Sequence, residues 1–361
     1  MPIYEESFRI GCGRYLQGQN YINKAGDEIL RYGTSPLIIG GKTALSVAGE
    51  KLENSIKDKC NLYEIITHTG TCNDERATEL AQYANDKGYD VIVGVGGGVI
   101  CDFAKMCAYF SNLPIINIPT SSATCAAFTP LSVRYTPDGK TVGTKHFEYE
   151  VNEVIVDTEV IASQPTRLLL AGVFDALAKF IEIKHRYKEG GNGYPIGLDY
   201  AYAMSKYSFK FLTEKTQKCL DDLAENNITE DVENLIFTTI SATGVISGIA
   251  RGSNQTALAH KFYETARYFF PYESKPYIHG EMVGIGLLLQ NHYNGEEEYN
   301  ELLLSLMKKY NMPYRVTDIG VSQDAFDDFY NKICNSSSID KSDKAQCEKF
   351  KNSLKYLWEL R

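Results

Sequence analysis

Positive charge is in short supply in this 361-residue chain: 37 lysines and arginines stand against 46 aspartates and glutamates, a formal net charge of −9. No basic cluster interrupts that balance, so a nucleic-acid partner is not expected. Long apolar runs are also lacking, since none reaches the ~18 residues that crossing a bilayer requires. The amino-terminal MPIYEESFRIGCG carries two glutamates where a signal peptide would have a positive region and an apolar core. The expected protein is cytoplasmic, without membrane association. No CxxC pair occurs and the nine cysteines are odd in number, which favours reduced, mostly buried thiols over disulfides or a metal cluster. Histidine is scarce, with six in all. What remains is an ordinary globular balance, 43% hydrophobic and 23% charged, in a chain long enough for two domains of ~100–150 residues or more each.

From 36 to 160 short β-branched runs alternate with helical stretches. Strands are expected at 36–41, 62–70, 89–98, 113–120 and 151–158, and helices at 42–59, 74–88 and 99–110. That alternation implies a parallel sheet covered on both faces. Beyond residue 160 the β signal stops, and helices are expected at 166–186, 200–225, 230–250, 254–270, 279–294 and 296–311. The fold class is therefore α/β in an amino-terminal nucleotide-binding domain (1–160) and all-α in a carboxy-terminal domain (161–361). The polar stretches 187–196 and 336–346 read as surface connections.

GVGGG (94–98) lies between an apolar strand and a helix. Gly96, Gly97 and Gly98 would let a pyrophosphate approach the backbone at a helix start, where free N–H groups and the dipole favour an anion. The spacing is not GxGxxG, and a tight strand-to-helix turn would use the same glycines. Asp102 either caps that helix or serves the site. At the end of the first strand, IIGGK (38–42), Gly41 and Lys42 occupy the place where NAD-preferring folds put an acid for the ribose 2′-hydroxyl. A cation there favours a 2′-phosphate, hence NADP(H), although a solvated helix-start lysine would look the same.

Asp175 sits in the apolar helix LLLAGVFDALAKF, where a carboxylate is costly to bury without compensation. With His260 and His279 it makes a carboxylate–imidazole set suited to a divalent ion, Zn²⁺ first and Fe²⁺ second. Satisfied core or exposed histidines are the alternative.

The ordered segments GRYLQG (13–18), GVGGG with CDFAK (101–105), LPIINIPTSSATCAAFTPLSVRYTPDG (113–139), VDTEVI (156–161), LLLAGVFDALAKFIE (168–182), ALAHKF (257–262) and HGEMVGIGLLLQ (279–290) resemble the glycerol dehydrogenase branch of the iron-containing alcohol dehydrogenases. The dehydroquinate synthase-like fold is shared with that family. The resemblance implies an NAD(P)-binding domain, a helical metal-binding domain and a homo-oligomer. It places Asp175, His260 and His279 on the metal ligands, Gly96–Gly98 on the pyrophosphate loop, Thr120 and Thr124 on cofactor contacts, and Tyr135 near the nicotinamide and substrate.

Three departures from the branch bear on substrate. GGGVICDFAK lacks the lysine that glycerol dehydrogenases carry after their glycines. Cys125, in ATCAA, stands where they have an aspartate that touches polyol hydroxyls; it is either a reactive thiol or a small packed residue. Tyr263 replaces their second histidine. TCAAxTPLSV with the Gly41–Lys42 pair looks more like the hydroxycarboxylate dehydrogenase subgroup, so a 2-oxo acid/2-hydroxy acid couple is the leading expectation and glycerol/dihydroxyacetone the alternative. Arg134 and Lys179 are candidates for a substrate carboxylate by sequence proximity alone. A redox-neutral lyase like dehydroquinate synthase and a non-catalytic metal-stabilised binding protein are the rivals from other classes.

Overall fold

The computed structural model describes residues 9–137, 139–189, 196–336 and 338–361. The amino-terminal MPIYEESF, Asp138, most of the expected 187–196 connection and Ser337 of the expected 336–346 connection lie outside them.

Among the described residues eight strands form: β1 (Cys12–Gly18), β2 (Pro36–Gly41), β3 (Glu64–His68), β4 (Val91–Gly96), β5 (Ile115–Pro119), β6 (Leu131–Tyr135), β7 (Thr141–His146) and β8 (Val151–Asp157). Six of them make one sheet in the order β1-β8-β5-β4-β2-β3, every adjacent pair parallel. PLII, VIVGVG and IINIP are buried along their length, the near-continuous apolar runs of parallel strands covered on both faces. β6 and β7 pair antiparallel as a separate hairpin.

The first helices are α1 (Ala25–Ile29), α2 (Lys42–Ile56), α3 (Asp74–Lys87), α4 (Gly98–Ser111) and α5 (Thr158–Ala162). Local chemistry fixes their ends. The Asn73 side chain accepts from Arg76 N–H to start α3, and Gly88, at φ 78°, ends it. The core here is aliphatic: Ile38, Val91, Val93, Val95, Ile116 and Ile155 of the sheet pack with Ala44, Ala48, Leu52 and Ile56 of α2.

The later helices are α6 (Thr166–Glu189), α7 (Ile196–Ala224), α8 (Glu230–Phe237), α9 (Thr243–Ala250), α10 (Leu258–Phe269), α11 (His279–Asn294), α12 (Glu297–Lys309), α13 (Phe326–Cys334) and α14 (Lys344–Glu359). The 230–250 stretch is not one continuous α-helix, because a π-turn over Thr238–Ala242 separates α8 from α9. Among the described residues, Glu230–Ala250 alone is long and apolar enough to cross a bilayer, and 61% of its apolar window is buried inside the protein. α13 and α14 follow the last helix that periodicity marks, and α14 begins within the 336–346 connection.

Contacts divide the chain into two units. The sheet unit comprises 6–169 with 211–248, and the helical unit includes 170–210 with 249–361. The long helix α7 contributes to both, so 211–248 is helical in structure but belongs with the sheet.

Candidate metal centre and cofactor edge

Within the helical unit, α6, α10 and α11 each supply one side chain to a cluster. Asp175, His260 and His279 offer ligand atoms that all lie within 4.8 Å of one another. Asp175 Oδ1 faces His279 Nε2 at 3.3 Å and His260 Nε2 at 3.7 Å. Buried, it has no hydrogen-bond partner among the described residues, an arrangement that costs free energy unless a cation compensates it. Burial acts to raise the Asp175 carboxyl, but His279, His260 and Lys179 outweigh it and hold it well below the usual carboxylate range. One carboxylate and two imidazoles fit a divalent ion.

Close helix contacts set this geometry. Gly280, the second residue of α11, lies so near α6 that a Cβ would stand 1.8 Å from the Ala171 carbonyl oxygen. Ala171 is one turn before Asp175, so this approach brings His279 over the aspartate. At Gly286 a Cβ would meet the Ala259 oxygen at 2.5 Å, which sets α11 against α10 beside His260. Ahead of His279, Arg267 donates to Ser274 O at 2.7 Å and Tyr277 O at 2.6 Å, tying down the loop between α10 and α11. The Tyr263 ring meets the His279 ring edge to face, centroids 4.3 Å apart.

Glu182 orders the second layer. It lies two turns beyond Asp175 on α6 and is fully buried. Its Oε1 accepts from Ala257 N–H at 2.6 Å and His260 N–H at 3.0 Å, satisfying the open start of α10. Its Oε2 pairs with His260 Nδ1. With that proton directed to Glu182, Nε2 is the nitrogen left facing Asp175. Burial pulls the His260 pKa down, but Glu182 and Asp175 prevail and raise it to about 9; two carboxylates demand positive charge here. Glu182→Gln keeps the shape and loses the charge. It is expected to weaken divalent-metal binding by roughly 10–100-fold, read by competition with a chelating dye; an unchanged affinity would count against this role. The sequence signal for Glu182 was its spacing of seven from Asp175, one helix face, but only the fold shows that His260 arrives there.

In the sheet unit the other candidates gather at one edge. β2 and β4 are neighbours, and the chain leaves β2 toward β3 on one side but leaves β4 toward β5 on the other. Such a switch point at the carboxyl ends of parallel strands is where open α/β sheets bind ligands. Gly41 ends β2 and caps α2, whose first residue is the exposed Lys42. Gly96 ends β4, and Gly97 and Gly98 open α4. Thr120 N–H donates to Gly96 O at 3.1 Å. A Cβ on Gly98 would stand 2.9 Å from Thr124 Oγ1. Gly41, Gly96–Gly98, Thr120 and Thr124 are thus neighbours.

Asp102 does not cap α4. It sits a turn inside the helix, paired with buried Lys105 at 2.9 Å and accepting from Val133 N–H at 3.0 Å. Lys105 Nζ donates to the carbonyls of Ala126, Thr129 and Leu131, so this pair ties the Thr124–Cys125 loop to α4. The role of Lys105 was not legible beforehand, because its partners are backbone oxygens more than twenty residues on. Arg134 donates to Asp74 at 2.8 Å, and Tyr135 N–H donates to Cys72 O at 2.8 Å. Cys125 is half-buried, and its carbonyl accepts from Phe128 and Thr129 N–H. Cys125 and Tyr135 belong to the sheet unit, and the trio to the helical unit.

Comparison with known proteins bears on both units. Residues 12–158 match the family described as iron-containing alcohol dehydrogenase. A glycerol dehydrogenase of Escherichia coli O6:H1 is 30% identical over 315 residues, covering 86% of this chain and 84% of that protein. Hydroxycarboxylate dehydrogenase A of Escherichia coli K12 is 27% identical, covering 84% and 79%. The crystal structure of glycerol dehydrogenase from Schizosaccharomyces pombe superposes with a TM-score of 0.84 at 22% identity, covering 98% of this chain and 90% of that one.

Proposed function

Because the chain belongs to the iron-containing alcohol dehydrogenase family, we propose that it transfers a hydride between NAD(P)(H) and a small alcohol–carbonyl couple with a second oxygen on the neighbouring carbon. The observation that carries this reading is the buried, partnerless Asp175 oxygen facing two imidazole nitrogens. Glycerol/dihydroxyacetone is the first couple to test. The similarity to glycerol dehydrogenases supports it above the 2-oxo acid couple expected from Cys125 and Gly41–Lys42. The acid couple stays as a second reading, favoured by Lys179, which is buried on the metal-facing stripe of α6.

Asp175, His260 and His279 would hold the metal, Zn²⁺ or Fe²⁺. When bound, such an ion polarises a carbonyl or acidifies an alcohol, and a nicotinamide gives or takes the hydride. Glu182 keeps the His260 proton on Nδ1, and Asp175 supplies the anionic oxygen. At the sheet edge, the opening of α4 at Gly97 and Gly98 is the place for a pyrophosphate. Lys42, with no acid at the end of β2, favours the 2′-phosphate of NADP(H). Lys42→Ala is expected to shift the NADPH-to-NADH preference toward NADH by roughly tenfold, the size of one charge-assisted hydrogen bond. Steady-state kinetics with both cofactors checks this; an unchanged ratio would make Lys42 a surface lysine only.

The reading as a whole is tested by incubating metal-loaded protein with glycerol and NAD(P)⁺, and with dihydroxyacetone and NAD(P)H. Interconversion with matching cofactor turnover supports it. Substrate consumption without net cofactor change would favour the lyase.

A further inference from the structure

Along α6, Asp175, Lys179 and Glu182 follow one another at spacings of four and three, one stripe of the helix. Two of the three are accounted for: Asp175 faces the histidines, and Glu182 holds His260 and the start of α10. Lys179 is not. Only 5% of it is exposed, yet its Nζ has one hydrogen bond among the described residues, to Gln255 Oε1 at 3.1 Å. No carboxylate lies at ion-pair distance from it among those residues, although an ammonium has three donors. A buried charge with two donors unspent is costly unless something else takes them.

The side chain is within electrostatic reach of the cluster, since its charge bears on both Asp175 and His260. A divalent ion held by the trio, together with Lys179, would leave the centre one positive charge in excess over Asp175 and Glu182. Such a pocket prefers a ligand with an anionic oxygen to an uncharged one of the same shape. A purely structural lysine tied to Gln255 would need no charge, and a glutamine would serve as well.

We propose that Lys179 is a specificity-determining residue that takes an anionic oxygen of the substrate, so that the site favours a carboxylate over a hydroxymethyl group on the carbon next to the reacting one. This rests on the dehydrogenase reading above and refines its substrate class to short 2-hydroxy acids and their 2-oxo partners.

Lactate and 1,2-propanediol differ only in that group, as do pyruvate and hydroxyacetone. The test compares kcat/KM for each pair in the metal-loaded wild type, Lys179→Met and Lys179→Arg. Isothermal titration with oxamate, which carries the carboxylate but is not reduced, reads binding without turnover. The wild type is expected to favour the acid, and Lys179→Met to lower the acid-to-diol ratio and oxamate affinity by roughly 10- to 100-fold. Lys179→Arg should keep most of both. If methionine prevents folding, Lys179→Gln keeps a hydrogen bond without the charge and should show the same loss. An acid-to-diol ratio and oxamate affinity unchanged by loss of the charge would overturn the proposal. If the wild type turns over none of the four and does not interconvert glycerol and dihydroxyacetone, the dehydrogenase reading fails; if it turns over only glycerol and dihydroxyacetone and oxamate does not bind, that reading stands and the role of Lys179 is overturned.

Discussion

Asp175→Ala is expected to yield a folded protein that no longer retains a divalent metal and whose hydride-transfer turnover is lower by ~10³-fold or more, the loss of several kcal/mol of transition-state stabilisation. The expectation follows from burial and partners. The Asp175 oxygen has two imidazole nitrogens in front of it and no hydrogen bond to spend on the fold. Its removal therefore takes away the anionic ligand without breaking a backbone cap or a helix contact. Glu182, which does cap a helix, cannot take its place because its oxygens are committed to His260 and Ala257. Metal analysis of the purified variant, with a thermal melt to confirm folding, is the check. Retention of one metal per chain with turnover near the wild-type value would remove Asp175 from the centre.

Gly280→Ala should have the largest effect on stability. The new methyl carbon would be placed 1.8 Å from the Ala171 carbonyl oxygen, and the obstacle is backbone, which no rotamer change relieves. Overpacking of this kind costs about 3 kcal/mol or more, which lowers the melting temperature by roughly 6–12 °C in a unit of this size. Because His279 is the adjacent residue and Asp175 one turn from Ala171, metal affinity should fall with stability. Gly284→Ala is the control on the same helix. There a Cβ would come 3.0 Å from the Met307 and Phe174 side chains, which can shift. A Gly280→Ala protein that melts with the wild type would contradict the tight α6–α11 contact.

Much of the fold was legible because its signals are local. Parallel strands such as PLIIGG and VIVGVG are apolar along their length, and Asn73 and Gly88 announce the ends of α3. β1 was missed because CGRYLQG is half-exposed and polar, and the β6–β7 hairpin because TVGTKH is largely exposed. The placement of 211–248 with the sheet could not be read, since helical periodicity says which face is apolar and not which unit covers it.

Residue types went far toward the candidate site. An aspartate in an apolar helix and two of only six histidines marked the trio that the structure brings together. What composes the site around them was hidden for one physical reason: each element acts through a contact distant in sequence. Glu182 meets His260 across 78 residues. Gly280 meets Ala171, and Lys105 holds three carbonyls of a later loop. For Asp102 the capping alternative is excluded by its place a turn inside α4, paired with Lys105.

The central claim is that one divalent metal, held by Asp175, His260 and His279, serves net hydride transfer. The most direct test is to strip the protein with a chelator, reconstitute it with Zn²⁺ or Fe²⁺, and follow NADPH and NADH absorbance with dihydroxyacetone and pyruvate. The account predicts no turnover in the stripped protein, net cofactor oxidation restored by about one metal per chain, and no restoration in Asp175→Ala. Full activity without metal, or carbonyl consumption with no net change in cofactor, would contradict it.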